Sequence, residues 1–337
     1  MQVPDNYALI FKKPVGSGET ILDTPTWFPL LKELSIMGNT GRKHTPIFFL
    51  FLLPVTLAFT LIIVIPLIMG VYYSFTDWNA VPGTPINWVG LDNYAAMFSD
   101  VTFLHSFLVT IAFSAISIVL INFVAFMFAL LVTSKVRLAG LYRAGFFLPN
   151  LIGGIVLGYI WFFIFNNAVT AFGSAIGSDF LSMSFLGNRF TSLFAMIIVT
   201  TWQMAGYIMM IYVAAIQSVP ASLLEAAQID GAKYHQRLRH IMIPLIAPAF
   251  TISLFLTLVN TFRMFDVNFA LTAGGPSGIF MGQALRTTEL LALNIFNTAH
   301  MFNDQAQGQA RAIIFFLALT LISLIQVYFN KRKEIEM

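Results

Sequence analysis

Apolar residues run along this chain in six long blocks separated by short polar connections. The blocks cover roughly residues 47–75, 103–133, 144–165, 190–216, 245–270 and 310–330. Each exceeds the ~20 residues an α-helix needs to cross ~30 Å of hydrocarbon. Only helices and closed barrels satisfy every backbone polar group there, so the pattern predicts an all-α transmembrane protein with six spans. Pro54 and Pro66 fall inside the first block, which is tolerable where neighbours serve the freed carbonyls. The first block is too long for the core of a signal peptide and is expected to stay as an anchor. The third block contains Gly154-Ile155-Val156-Leu157-Gly158, a spacing that lets helices approach closely. No internal repeat stands out.

The polar remainder sets the organisation. Residues 1–45 form a polar lead, in which Trp27–Leu34 reads equally as a helix lying on the membrane surface or as part of a disordered tail. Residues 46–330 are the transmembrane domain and 331–337 a short tail. Fourteen of the 18 lysines and arginines lie in four places: the lead, the second-to-third connection, the fourth-to-fifth connection and the tail. The positive-inside rule therefore puts both termini in the cytoplasm, as an even number of spans requires. The chain is 58% hydrophobic and 10% charged, against about 25% charged for an ordinary soluble domain. The net charge of +3 belongs to this topology and is no nucleic-acid footprint. With no cysteine there is no disulfide or thiolate chemistry.

The most concentrated polarity is Glu225 to Pro244, reading EAAQIDGAKYHQRLRHIMIP. Glu225-Ala226-Ala227 is expected to open a helix, Gly231 to break it, and Pro244 and Pro248 to restart one in a first turn. On composition alone this is a solvated loop between spans. No phosphate-binding G-x-x-x-x-G-K-[ST] occurs, nor HExxH, nor GxSxG. Of five histidines only His235 and His240 are near neighbours, in this basic loop. No catalytic residue, metal site or cofactor is expected, and any ATP must be bound by another subunit.

The spacing adds a resemblance. EAA, three residues, Gly231, nine residues, Ile241, one residue, then Ile243-Pro244 is similar to the cytoplasmic loop of ABC importer permeases, with Ile243 where leucine is usual. The resemblance implies the six-helix type I importer core (MetI-like), a coupling loop over 217–244, and docking of Glu225, Ala226, Ala227, Asp230 and Gly231 on an ATPase subunit. Leu271-Thr272-Ala273-Gly274-Gly275-Pro276, Trp88–Tyr94 and Val219–Leu224 resemble the maltose and glycerol-phosphate type of carbohydrate permease. That group implies a second permease subunit, two ATPase subunits, an extracytoplasmic binding protein and a carbohydrate substrate, in the bacterial inner membrane.

Helical spacing supplies candidates for a substrate path. Thr200, Gln203, Met204 and Tyr207 share one face of the fourth span, and Thr257, Asn260, Thr261 and Met264 one face of the fifth. Interhelical hydrogen bonding is the plain alternative. Arg263 is a further candidate, although Arg263 and Asp266 at i, i+3 form an opposite-charge pair suited to satisfy each other. Two other classes compete. An ion-coupled secondary transporter would carry acids at mid-membrane, whereas Asp266, near the outer end of the fifth block, is the one acid read as lying within a span. A scaffold without a transport path would not need polar faces on two spans.

Overall fold

The computed structural model describes residues 48–134 and 136–331. The 1–45 lead, with its Trp27–Leu34 segment, and the tail after Lys331 lie outside the described residues. The chain divides at Pro66 into two compact units. In the first, residues 48–66 are helical, with a π turn at Thr60–Val64. The Thr56 hydroxyl bonds back to the carbonyls of Leu52 and Leu53, each at 3.1 Å, so it needs no outside partner.

The second unit starts at Leu67 with the end of the first span, α1 (Phe48–Tyr73). After α2 (Asp92–Ser99), Asp100 caps α3 (Val101–Thr133), its carboxylate accepting from the Thr102 amide at 2.8 Å. Then come α4 (Ala139–Phe147), a 3₁₀ turn at Leu148–Leu151, and α5 (Gly154–Ala175). Asn188 caps α6 (Arg189–Ser218) in the same way. The polar stretch holds α7 (Ala221–Ile229) and α8 (Tyr234–Leu245), followed by α9 (Ala247–Phe262). A hairpin of β1 (Ser277–Phe280) and β2 (Gln283–Arg286) pairs Ser277 with Arg286 and turns at Met281-Gly282. Both turn residues have positive φ, 48° and 80°, as a tight two-residue hairpin requires. Finally α10 (Leu291–Phe296) precedes α11 (Gln305–Lys331).

Five of these helices are long and apolar enough to cross a membrane, or six if α8 and α9 count as one span bent by 68°. Three boundaries differ from the sequence expectation. The third block is not one helix over 144–165, because Pro149 and Gly153-Gly154 interrupt it. Its second part instead reaches Ala175, where Asn167 and Thr170 bond back to their own helix at 3.1 and 2.8 Å. The fifth block bends at Ile246 between Pro244 and Pro248, neither of which can donate a backbone hydrogen bond, and it ends at Phe262 rather than 270. Asp266 therefore lies past the end of that helix. Glu225 does not open its helix; α7 begins at Ala221, straight after Pro220.

The core is made chiefly by α3 against α6. Buried Ala125 and Ala129 of α3 and Ala205 of α6 let the backbones close up, with Ile121, Ile208, Met209 and Tyr212 filling the seam. At Gly206 a Cβ would fall on the Phe146 carbonyl, so α6 and α4 touch backbone to backbone.

Candidate functional site

A cavity of about 480 Å³ opens between α5, α6 and the end of α9. Six of the nine path candidates line it: Gln203, Met204 and Tyr207 from α6, and Asn260, Arg263 and Met264 from α9 and the turn after it. The Gln203 amide donates to the Ile152 carbonyl at 3.1 Å, in the gap between the 3₁₀ turn and α5. The Asn260 amide donates to the Leu256 carbonyl of its own helix at 2.8 Å, and the residue lines the cavity.

Thr200, Thr257 and Thr261 are fully buried and are not among the lining residues. The shared face of α9 straddles the boundary between cavity and helix core, so its two threonines go inward. Thr257 joins a buried cluster in which the Asn122 amide donates to its hydroxyl at 3.0 Å. Tyr212 closes the cluster, donating to Asn122 Oδ1 at 2.8 Å and meeting the Ser253 hydroxyl at 2.6 Å. Thr261 bonds back to the Thr257 carbonyl at 2.8 Å. Thr200 sits a turn before Met204 and is fully buried, while Ile198 and Trp202 on the other face of α6 are exposed.

Asn150, Gly154, Phe265, Asp266 and Val267 also line the cavity and were not read from the sequence. The signal for one wall was present in the glycine spacing. A Cβ on Gly154 would come within 2.6 Å of the Asp266 Cβ, and one on Gly158 within 2.6 Å of the Ala270 Cβ. The 266–270 segment is therefore laid directly on α5. Arg263 and Asp266 do not pair; the only ion pair among the described residues joins Arg311 to Asp100. Both side chains are exposed at the cavity wall.

The polar stretch forms a second feature at the C-terminal end of α6. Glu225, Ala226 and Ala227 occupy the middle of α7, with Glu225, Ala226 and Asp230 exposed and Ala227 half-buried. Gly231 has φ +82°, a left-handed conformation that glycine adopts without strain, and its amide closes the turn on Gln228 at 3.1 Å. Arg237 Nη1 donates to Gln228 Oε1 at 2.9 Å, holding α8 against α7. The result is a cup of about 410 Å³ lined by Asp230, Gly231, Ala232, Gln236, Arg237, His240 and Ile241. Ile229, at its edge, is 87% exposed.

The opposite end carries a network that sequence reasoning missed. Arg311 is buried on α11 and donates to Asp100 at 2.5 Å and to Asn294 at 2.6 Å. Burial raises the Asp100 carboxyl, but the Thr102 hydrogen bonds and the Arg311 charge outweigh it and hold the group below its ordinary range. Glu289 is pushed up by burial, which the 2.7 Å hydrogen bond from Asn297 only partly offsets. Partners 211 residues apart, such as Asp100 and Arg311, leave no local trace in a sequence.

Residues 121–335 match the family described as the binding-protein-dependent transport system inner membrane component. The chain is 43% identical over 290 residues to the probable starch degradation products transport system permease protein AmyD of Thermoanaerobacterium thermosulfurigenes, covering 86% of this chain and 96% of that one. It is 29% identical over 294 residues to the trehalose/maltose transport system permease protein MalF of Thermococcus litoralis, covering 86% and 96%. It also resembles the multiple sugar-binding transport system permease protein MsmF of Streptococcus mutans, 29% identical over 80% of this chain and 90% of that one. Among solved structures, a chain of a bacterial ABC transporter that imports the acidic polysaccharide alginate superposes with a TM-score of 0.70. It is 21% identical and covers 90% of this chain and 98% of that one, a likeness of fold.

Proposed function

The chain belongs to the family of binding-protein-dependent transport system inner membrane components, and from that premise we propose how its parts work in sugar import. It is a multi-pass permease subunit of an ATP-driven carbohydrate importer in the cytoplasmic membrane. Its partners are a second permease, ATPase subunits and an extracytoplasmic binding protein. Its relatives are transport permeases rather than enzymes, and we assign ATP hydrolysis to the partner subunits. The family favours this reading over the ion-coupled carrier.

The observation that carries the coupling assignment is the pairing of exposed α7 with the left-handed turn at Gly231. Glu225, Ala226, Ala227, Asp230 and Gly231 form the part that meets an ATPase, within a coupling segment over 217–244. Small side chains at 226 and 227 permit close approach, Glu225 offers a carboxylate to a basic partner, and Ile229 supplies an apolar contact held out in solvent. ATP shifts the population between inward- and outward-open states only through contacts that differ between them, and this turn is where such contacts enter the chain.

The cavity lined by Gln203, Met204, Tyr207, Asn260, Arg263 and Met264 is this subunit's share of the substrate path, completed by the second permease. Amides supply hydroxyl partners and Tyr207 an aromatic plate, which suits a neutral glucan such as the starch products named for the AmyD relative. Thr200, Thr257 and Thr261 support the path from behind. The test is ATP-dependent uptake of labelled maltodextrins into vesicles holding the whole complex with its binding protein. Uptake without ATPase subunits, or no uptake of any sugar with all subunits present, overturns the reading.

A further inference from the structure

A second cavity lies away from the path. It is an apolar groove of about 340 Å³ with Leu120, Val124 and Phe128 of α3 on one side, Phe146 of α4 on another and Ile198 and Trp202 of α6 on the third. At 100° per residue, its α6 residues Ile198, Thr201, Trp202 and Ala205 point opposite to Gln203, Met204 and Tyr207, which line the path. The second permease completes the path, so the groove faces away from that subunit and toward the bilayer; this step rests on the function proposed above.

Charge and length say what fills it. The inner end of the groove runs toward the connection from α3 to α4, which carries Lys135 and Arg137, and Arg143 lies on α4 two residues before the lining Gly145, while no carboxylate occurs between Asp100 and Asp179. Arg143 Nη2 donates to the Val132 carbonyl at 3.2 Å, and its Nε has no partner. Arg137 is exposed, and neither arginine is in an ion pair with another of the described residues. From Leu120 to Val132 the α3 helix rises about 18 Å at 1.5 Å per residue, close to the ~15 Å that one leaflet contributes to ~30 Å of hydrocarbon. A wall of stacked rings, Phe128 on Phe146 at 4.0 Å and 7°, sits between the charges and the mid-membrane end.

We propose that this groove binds one acyl chain of an anionic phospholipid of the inner leaflet, with its phosphate held by Arg137 and Arg143. Basic pockets between spans on the cytoplasmic side suit anionic headgroups, and the acyl chain fills a groove that no side chain among the described residues occupies. The bound lipid pins α4 to α3 and α6 at the contact through Gly206.

The test uses the intact complex, purified in mild detergent from membranes rich in phosphatidylglycerol, with retained phospholipid measured by mass spectrometry. Arg137→Gln with Arg143→Gln is expected to weaken phosphatidylglycerol binding about 30-fold, from two surface cations converted at the usual tenfold step. Arg137→Gln alone, at an exposed residue, gives a smaller loss in the same direction without touching the Val132 contact. Val124→Trp fills the groove and displaces the lipid with both arginines intact. A photo-crosslinking residue at Val124 is expected to capture phosphatidylglycerol. Capture of the second permease instead, or unchanged retention in the charge and groove variants, overturns the proposal. Co-purifying ATPase subunits in every sample keep such a failure separate from the transporter reading.

Discussion

Substitution of Gly231 separates backbone geometry from side-chain bulk. The residue holds φ +82°, and a Cβ built there meets nothing within 4 Å among the described residues. The cost of a side chain is therefore conformational alone within this subunit. For an L-residue the left-handed region costs about 1–2 kcal/mol, less for asparagine and more for a β-branched residue. One or two kcal/mol is a factor of roughly 5–30 in a population. If α7 couples only with the turn closed, transport should fall in the order Gly231, Gly231→Asn, Gly231→Ala, Gly231→Val, with asparagine retaining most activity and alanine losing about fivefold or more. The assay is ATP-dependent uptake and substrate-stimulated ATP hydrolysis in vesicles, with co-purification of the ATPase confirming assembly. Basal hydrolysis by assembled complex should persist while uptake falls. Equal loss for asparagine and valine would refute the backbone argument and point to crowding against the partner. Full transport by the valine variant would remove the turn from coupling altogether.

Other expectations follow from the same structure. Gln203→Ala and Asn260→Ala should each raise the apparent KM for maltodextrin severalfold with little change in melting temperature, as loss of one or two hydrogen bonds at about 0.5–1.5 kcal/mol implies; unchanged kinetics for every sugar carried would exclude both. Arg311→Gln should cost about 3 kcal/mol, because it leaves Asp100 and Asn294 short of a buried partner, and a shift of less than a degree in melting temperature would contradict this. The carboxylates predict opposite pH effects. Asp100 has a lowered folded pKa, so its contribution is present above about pH 3.8 and is lost as pH falls through the folded value. Glu289 is raised above 4.5, so stability drops as pH climbs from there through the folded value, and Glu289→Gln should flatten that slope in a melting series. Gly206→Ala should destabilise by about 1–3 kcal/mol or more, since the new methyl has only Phe146 backbone to displace; normal melting would show that α4 yields easily.

The sequence by itself determined the membrane class, the placing of the apolar blocks and the position of the glycine turn. These rest on composition, run length and the backbone freedom of one residue, all local properties. It also picked out residues that meet the cavity: Gln203 with Tyr207 follows from the 3.6-residue periodicity of α6, whereas Met264, read on the same face as Asn260, meets the cavity from the turn past the end of α9. It did not divide those faces. Only the packing of α3 on α6 and α9 decided that Thr257 turns inward to Asn122 and that Thr261 is buried behind it, while Asn260 lines the opening. Nor did it show that Asp266 lies on α5 rather than beside Arg263, or that Arg311 reaches Asp100. A stripe of polar residues reports the angle at which each side chain leaves its own helix. What that side chain meets depends on the neighbours that arrive from elsewhere in the chain, and those are set by close approach at Ala125, Gly154, Gly158 and Gly206.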